Sequence, residues 1–248
     1  MQEILRTINL TKNFGGLAAV DGVNFAVQEG DLLSVIGPNG AGKSTFFKLI
    51  TGEIKPSKGQ ILFFNNDITH LPQTAISRMG VAVAYQITNI FPRLSVFENV
   101  RVAVQSRKTT FNFWSKALSH KDLTGGTLDI LEQIDLIDSR DEIAANLSHG
   151  DQKRLEIGIA LATRPKLLLL DEPTAGLSPI ETRQTIELIK KLSRKLTMIL
   201  VEHKMKVVME VSEKITVLHY GRLLTQGTPD EIRNNEEVKR VYLGGVKI

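Results

Sequence analysis

Apolar and polar residues alternate in two early stretches of the chain, Ile4–Leu10 and Val23–Val27. A period of two is typical of strands that bury one face. The pattern therefore predicts two strands of an antiparallel sheet at the edge of the fold.

Largely apolar runs follow at intervals along the rest of the chain. Short runs of this kind, bounded by turn residues, are typical of strands covered on both faces. The predicted strands are Leu32–Ile36, Gln60–Phe64, Val81–Ala84, Leu167–Leu170 and Met198–Val201. Helical patterns lie between several of them, and this alternation favours an α/β fold with a mostly parallel sheet.

Helix signals dominate the middle of the chain. Ser95 is followed at the third helical position by Glu98, which predicts a capping box, and Thr127–Asp135 has a helical pattern. We predict a mainly helical subdomain over residues 88–162, inserted into the α/β core. A further helix should begin at Ser178–Glu181, which has a capping serine, a proline at the first position and a glutamate at the third.

The composition narrows the class of protein without naming a function. The 248 residues allow one large domain or a domain with a subdomain, and the net charge of +4 is too small to indicate nucleic-acid binding. No cysteine is present, which excludes disulfides, thiolate zinc sites and cysteine nucleophiles. The polar N-terminus is unlike a signal peptide, and no apolar run approaches the roughly 18–20 residues that span a bilayer. We therefore expect a cytosolic chain that could still bind a membrane partner.

The stretch GPNGAGKST, Gly37–Thr45, matches the pattern G-x-x-x-x-G-K-[ST]. It lies between a predicted strand and a predicted helix at Lys43–Ile50, the context in which such a loop cradles phosphate groups. Its glycines let successive backbone amides face one concavity. Lys43 supplies a charge for the β- and γ-phosphates, and the Ser44 hydroxyl can ligate Mg²⁺. The sequence therefore predicts a nucleoside-triphosphate site.

Two carboxylates and two further polar side chains follow predicted core strands. Strand ends in α/β sheets face the ligand crevice. Asp171 is predicted to hold Mg²⁺ through water, and Glu172 to polarise an attacking water as general base. His203, after the next core strand, should reach the same crevice. Gln86 is a neutral side chain able to reach Mg²⁺ or water.

The adjacent residues Ser148 and His149 lie at a predicted helix start. Ser148 can cap this helix, with Asp151 as the acidic half of a capping box. Ser148, the His149 backbone and Gly150 can also form an anion site, because free amides at a helix N-terminus attract negative charge. A nucleophile–base pair is disfavoured because adjacent residues project in different directions. A metal site is disfavoured because no nearby His or Cys pair completes it.

Basic and aromatic residues are interleaved in residues 107–126, which hold Phe111, Phe113 and the single tryptophan, Trp114. One interpretation is a loop or short helix whose aromatic side chains pack against the domain. The alternative is a contact surface for a membrane protein or for lipid headgroups.

Together these motifs resemble those of the ATP-binding-cassette (ABC) ATPases, and the resemblance covers essentially the whole chain. Six matches occur in family order: Phe14 with the aromatic that stacks on adenine, Gly37–Thr45 with Walker A, Gln86 with the Q-loop glutamine, Leu147–Gln152 with the LSGGQ signature, Leu167–Asp171 with Walker B, and His203 with the switch histidine.

The resemblance implies an α/β P-loop cassette with a RecA-like core, an antiparallel β edge sheet and an inserted helical subdomain. A single domain would span residues 1–248, with the catalytic core and β subdomain in 1–87 and 163–248. ATP would lie between the Walker A motif of one subunit and the signature helix of a second, so that binding closes a head-to-tail dimer and hydrolysis opens it. Permease subunits would contact the helical subdomain and the Q-loop, at the cytoplasmic face of the cell membrane. No nucleic-acid partner is expected.

The resemblance also implies roles for individual residues. Those implied to act in catalysis are Glu172, His203, Gln86 and Lys43. Those implied to bind ATP are Phe14, Val20, Asn39, Gly40, Ala41, Gly42, Lys43, Ser44, Thr45, Ser148, His149 and Gly150. Those implied to hold Mg²⁺ are Ser44, Gln86 and Asp171.

Three positions depart from the common family pattern. His149 replaces the first glycine of LSGGQ, although Ser148 and Gly150 are retained. Ser178 replaces an aspartate in the loop after Walker B, which puts dimer cross-talk through that residue in doubt. Phe14 lacks the hydroxyl of the more frequent tyrosine, with its stacking face intact.

Finer detail resembles one branch of the family, the ATPase subunits of branched-chain or neutral amino-acid importers. Lipopolysaccharide-export and urea-import ATPases are related alternatives, and the insertion at 107–126 favours the amino-acid importers over the lipopolysaccharide exporter. A soluble ABC ATPase of translation or DNA repair is disfavoured by a single cassette without long coiled coils. A nucleotide kinase would lack the signature, and a GTPase would carry the Asn-Lys-x-Asp motif, which is missing from the sequence.

Overall fold

A computed structural model of the chain describes residues 2–86, 89–106 and 119–243, without the side chains of 119–122 and 243. The aromatic residues of the predicted contact segment, Phe111, Phe113 and Trp114, lie outside the described residues. Both interpretations of that segment therefore stay predictions.

The strands are β1 (Glu3–Phe14), β2 (Leu17–Gln28), β3 (Leu32–Ile36), β4 (Lys58–Phe63), β5 (Asn66–Asp67), β6 (Val81–Ala84), β7 (Leu167–Asp171), β8 (Thr197–Val201), β9 (Lys214–His219) and β10 (Arg222–Gly227). The helices are α1 (Lys43–Ile50), α2 (Gln73–Met79), α3 (Val96–Ser106), α4 (Ser119–Gln133), α5 (His149–Ala162), α6 (Pro179–Ser193), α7 (Met205–Val211), α8 (Pro229–Asn234) and α9 (Glu236–Leu243). A 3₁₀ turn covers Ala144–Asn146.

Two sheets organise these elements. The four-stranded sheet has the order β2-β1-β4-β5 and is antiparallel throughout, which confirms the predicted edge sheet. The six-stranded sheet has the order β10-β9-β3-β8-β7-β6. Its strands run parallel except β10, which is antiparallel to β9. Sequence reasoning had not identified β9 and β10.

Strand β7 shows why its run of four leucines is buried on both faces. Successive strand residues point to opposite sides of a sheet. Leu167 and Leu169 pack in the core between the two sheets, around α1. Leu168 and Leu170 pack on the other face, among side chains of α3, α5 and α6. Because helices and a second sheet cover the two faces, the carboxyl ends of the parallel strands are the open edge where polar residues gather.

Two predicted capping boxes are present and define the starts of α3 and α6. The Ser95 hydroxyl accepts from the amide of Glu98 at 3.1 Å, and the Glu98 carboxylate accepts from the amide of Ser95 at 3.0 Å. Ser178 and Glu181 make the same reciprocal contacts, with Pro179 in the first turn. These caps satisfy amides that would lack partners at a helix start.

The described elements between β6 and β7 are helical: α3, α4, the 3₁₀ turn and α5. This agrees with the predicted helical character of that part of the chain, while the boundaries at 88 and 162 stay a prediction. In the portion of the chain that the structure describes, no helix has the length and apolarity needed to cross a membrane.

Candidate active site

The loop between β3 and α1 is held in a tight backbone conformation. Gly42 lies in the left-handed region at φ 99°, and a Cβ there would overlap the carbonyl oxygen of Ala19, so glycine is required. The buried Lys43 Nζ donates to the carbonyls of Gly37 at 2.7 Å and Pro38 at 3.0 Å. Burial lowers the pKa of Lys43, and the nearby carboxylates of Glu172 and Asp171 oppose that shift. The lysine is thus a desolvated donor at the mouth of the loop.

A cavity of about 650 Å³ lies beside this loop and brings most of the predicted residues together. The predicted residues that line it are Phe14, Asn39, Gly40, Ala41, Gly42, Lys43, Ser44, Thr45, Glu172 and His203. Leu17, Ala18, Ala19 and Tyr220 also line it and were missed, because none of them belongs to a motif that the sequence shows. The Val20 side chain is fully buried in the core, so the structure does not bring it into the cavity.

Phe14 lies at the end of β1 with 51 % of its surface exposed, although aromatic rings are usually buried. The Lys12 ammonium lies 5.2 Å from the centre of its ring. An exposed ring at the rim of a polar cavity can stack on a planar, aromatic ligand.

Replacing Phe14 with alanine is expected to weaken ATP binding by about 1–3 kcal/mol, the usual range for loss of one aromatic–base stack. Titration with a fluorescent ATP analogue measures the effect. Phe14→Tyr should bind normally. Phe91→Ala is the matched control, because Phe91 is equally exposed at 52 % and does not line the cavity. Equal losses in both alanine variants would contradict a stacking role for Phe14.

Strand β7 ends in Asp171, and Glu172 follows in the left-handed backbone region at φ 49°. Such a conformation is unfavourable for glutamate and is found mainly where the surroundings impose it. The Gln86 Nε2 donates to Glu172 Oε2 at 2.8 Å, and His203 Nε2 lies 2.6 Å from Glu172 Oε1. Two side chains, from the segments that follow β6 and β8, therefore converge on the carboxylate that follows β7, the strand between them.

The buried Glu202, which the motif search did not single out, supports this convergence. Its Oε1 accepts from the amide and hydroxyl of Thr174, at 3.0 and 2.5 Å, and its Oε2 accepts from the amide of His203 at 3.0 Å. Glu202 thereby joins the loop after Glu172 to the backbone of His203. The only signal for Glu202 in the sequence was its position as a carboxylate directly after an apolar strand.

Asp171 has the features of a carboxylate that holds a cation. Its Oδ1 is shielded from solvent and has no hydrogen-bond partner among the described residues, and a buried polar atom without a partner is uncommon. Burial raises the pKa of Asp171, and the charge of Glu172 raises it further. A magnesium ion in this position would supply the missing partner. No cluster of three His, Cys, Asp or Glu ligands occurs in the described ranges.

The signature segment lies at the start of α5 and does not line this cavity. The Ser148 hydroxyl accepts from the amide of Asp151 at 3.1 Å, which confirms the predicted cap. The expectation that Asp151 completes a capping box is wrong, because its carboxylate pairs with Arg154 one turn later. The acid at this helix start is Glu181 of α6, whose Oε1 accepts from the amide of Gly150 at 3.0 Å.

Glu181 therefore caps two helices, its own α6 and the signature helix. Hydrogen bonds from Ser178, side chain first and backbone second, and then from Gly150 lower its pKa from 4.5 to about 2. A Cβ on Gly150 would come within 2.8 Å of the Glu181 side chain. The retained glycine of the signature is thus what admits this carboxylate.

Glu181→Gln is expected to lower the melting temperature at neutral pH, because a neutral amide caps more weakly. A carboxylate with a depressed folded-state pKa stabilises above its unfolded value and loses that contribution as the pH falls. The difference from wild type should therefore be full above pH 4.5 and shrink toward pH 2. Thermal melts between pH 2 and pH 4.5 measure the difference in melting temperature. Glu231→Gln is the control, because Glu231 completes a capping box with Thr228 at the start of α8 and caps no second helix. A difference that stays constant down to pH 2 would contradict the assignment.

Comparison with known proteins identifies the family. The family model for ABC transporters matches residues 20–175, more than half of the chain. The branched-chain amino acid transport ATP-binding protein LivG of Escherichia coli is 42 % identical over 251 residues, covering 98 % of each chain. The chain belongs to the ABC transporter family of ATP-binding cassettes.

Further matches refine this membership. A second family model, for the branched-chain amino acid ATP-binding cassette transporter, matches residues 222–247. The solved structure of an ABC-transporter cassette in its ADP conformation is 30 % identical, with a TM-score of 0.88 over 98 % of this chain and all of that one. A dimeric cassette bound to ADP and phosphate is 26 % identical, with a TM-score of 0.79 over 91 % of this chain and 99 % of that one. These likenesses confirm the predicted cassette fold.

Proposed function

We propose that the chain is the ATP-hydrolysing subunit of an ABC importer for branched-chain or neutral amino acids. The observation that carries hydrolysis is the convergence of Gln86 and His203 on Glu172 beside the phosphate loop. The importer assignment is supported by the similarity to LivG and by the branched-chain family model over residues 222–247. It places the chain peripherally on the cytoplasmic face of a membrane.

In this proposal the cavity binds ATP along its length. The adenine stacks on Phe14, and the amides of residues 39–45 face the phosphates at the start of α1, where the helix dipole favours negative charge. Lys43 donates to the β- and γ-phosphate oxygens. Ser44, Gln86 and Asp171 would hold Mg²⁺, which when bound supplies positive charge that neutralises the phosphate oxygens.

Glu172 accepts a proton from a water molecule placed in line with the γ-phosphate. The water oxygen then bonds to the γ-phosphorus, and the bond to the β–γ bridging oxygen breaks to give ADP and phosphate. Gln86 orients the carboxylate through its 2.8 Å hydrogen bond, and His203 contacts the other carboxylate oxygen at 2.6 Å. A general base held in this way typically contributes roughly 10²–10⁴-fold to the rate.

The site is completed by a second cassette. The Ser148 hydroxyl and the amides at the start of α5 would contact the γ-phosphate held by the partner's loop, forming a head-to-tail dimer. The dimeric relative bound to ADP and phosphate supports this arrangement. His149 lies next to Ser148 in the proposed contact with the γ-phosphate. The variant His149→Gly tests its effect on that contact.

A groove of about 270 Å³ on the outer surface suits the permease contact. It lies where α2, β6 and the segment after β6 face α5, and its lining includes Gln73, Tyr85, Asn89, Glu156 and Ile159. The groove joins the α/β core to the helical part of the chain. A permease element seated there would contact both, as well as the segment that carries Gln86.

Co-purification tests the proposed partner class. The chain is expressed with a tag in its own cells, extracted in mild detergent and analysed for bound proteins and for phosphate release from ATP. We expect hydrophobic membrane subunits in stoichiometric amount. Recovery with ribosomes and without membrane subunits would instead support a soluble ABC ATPase.

A further inference from the structure

Two oppositely charged side chains of α5, Lys153 and Glu156, are buried, with only 3 % and 4 % of each exposed. Their charged atoms, Lys153 Nζ and Glu156 Oε2, lie 3.3 Å apart. Replacing a buried ion pair by apolar residues of similar size is often neutral or stabilising. A contribution to stability therefore does not account for this ion pair. The other hydrogen bonds of the two side chains show which part of the chain they position.

Both side chains form hydrogen bonds with the backbone of the segment that follows β6. Lys153 Nζ donates to the carbonyls of Tyr85 at 2.8 Å and Gln86 at 2.5 Å. Together with Glu156, these acceptors satisfy all three of its protons. Glu156 Oε1 accepts from the amides of Tyr85 at 3.1 Å and Asn89 at 3.2 Å.

This segment has little other support. Strand β6 is the last strand of the six-stranded sheet, so it has a neighbouring strand, β7, on one side only. Within the described ranges, each hydrogen bond recorded for the backbone of Tyr85, Gln86 and Asn89 ends on Lys153 or Glu156. The position of this backbone thus depends on the charge pair of α5.

The contacts continue from this backbone to the reacting centre. The Gln86 side chain donates to Glu172, and Glu172 meets His203. An unbroken path therefore runs from Lys153 through Gln86 to the carboxylate that would take the proton from water. The same helix begins at Ser148, so one rigid element joins the signature to this path.

We propose that Lys153 and Glu156 are positioning residues for hydrolysis, which fix the backbone of Gln86 so that its side-chain amide meets Glu172. The inference rests on the proposed function and deepens it. Neither residue touches ATP, and both act through Gln86. A displacement of about 1 Å in such a support can cost up to roughly a hundredfold in rate.

The test is a double-mutant cycle in the full chain. Lys153→Met/Glu156→Leu removes both charges and their hydrogen bonds to the backbone together, so that neither charge is left buried and unpaired. We expect kcat to fall about tenfold with the Kd for ATP unchanged within about twofold. In a Gln86→Ala background the same change should alter kcat by less than about twofold, because residues that act through one partner are not additive.

Arg154→Met is the matched control, because Arg154 lies on the same helix and pairs with Asp151 three residues away. Among the described residues, its recorded hydrogen bonds go to Asp135 and Asp151, away from Tyr85, Gln86 and Asn89. It should leave kcat unchanged within about twofold. Equal losses of kcat in the wild-type and Gln86→Ala backgrounds, or no loss in either, would overturn the inference.

A second readout does not depend on hydrolysis. The amides of Tyr85 and Asn89 should exchange with solvent deuterium faster in the double variant than in wild type, since Glu156 is their acceptor. Unchanged exchange would overturn the inference even in an active enzyme. Failure of the wild-type chain to hydrolyse ATP would contradict the proposed function alone, so the two can fail separately.

Discussion

Glu172→Gln is expected to reduce ATP hydrolysis by roughly 10²–10⁴-fold, the usual contribution of a general base. Glutamine retains the shape of the side chain and can still contact Gln86 and His203, but it cannot take a proton from water. ATP should still bind, because the phosphate loop is unchanged. A closed dimer with ATP trapped between the subunits should therefore accumulate.

Light scattering with and without ATP, together with phosphate release, measures both effects. Glu213→Gln is the matched control. Glu213 is an exposed carboxylate directly before β9, at the amino ends of the parallel strands, whereas Glu172 lies at their carboxyl ends. It should hydrolyse ATP normally and form no persistent dimer. An active Glu172→Gln variant that remains monomeric with ATP would overturn the assignment of Glu172 as base.

Lys43→Met is expected to weaken ATP binding by about 1.5–3 kcal/mol, the usual value of a hydrogen bond to a charged group. The lysine is buried at the mouth of the loop with a pKa lowered by desolvation, so its interaction with phosphate is only weakly screened. Hydrolysis should fall further than binding, because charge builds on the phosphate oxygens during bond cleavage.

Isothermal titration with ATP in the Glu172→Gln background isolates the binding effect. Lys48→Met serves as control, because Lys48 lies on the same helix, is half exposed and pairs with Glu53 at 2.9 Å. Its loss should leave ATP affinity unchanged within about twofold. Equal weakening in both lysine variants would indicate a general loss of positive charge instead of a specific phosphate contact.

The parts of the site that local sequence determines could be predicted. The strand–loop–helix of Gly37–Thr45 depends on its own glycines and on neighbouring apolar runs. The capping boxes at Ser95 and Ser178 involve residues three positions apart. The carboxylates after β7 could be placed at the crevice because parallel strand ends share one edge. All of these rest on interactions within a few residues.

The parts of the site that depend on tertiary contacts could not be predicted from the sequence. No local pattern in the sequence marks Lys153 and Glu156 as buried, and their burial follows from contact with the backbone after β6. Glu181 reaches Gly150 across 31 positions, and no local pattern announces that contact. Val20 lies in the core, whereas its neighbours Ala18 and Ala19 line the cavity. Prediction failed where charge and burial are set by a distant segment.

The signature segment illustrates both outcomes. Its serine caps α5 as its position predicts, while the acid that completes the helix start comes from α6. The amide of Gly150, expected to meet phosphate, is the same amide that Glu181 holds within the single chain. Under the proposed function, closure of a dimer on ATP would exchange the Glu181 carboxylate for a phosphate oxygen at this amide.

Uptake of labelled leucine tests the proposed coupling of hydrolysis at this site to amino-acid import. Vesicles carrying the chain with its co-purified membrane subunits, and supplied with the transporter's binding protein, are loaded with ATP on the side that holds the cassette. We expect ATP-dependent leucine accumulation that Glu172→Gln abolishes. Phosphate release without leucine uptake, or uptake that persists in the Glu172→Gln variant, would contradict it.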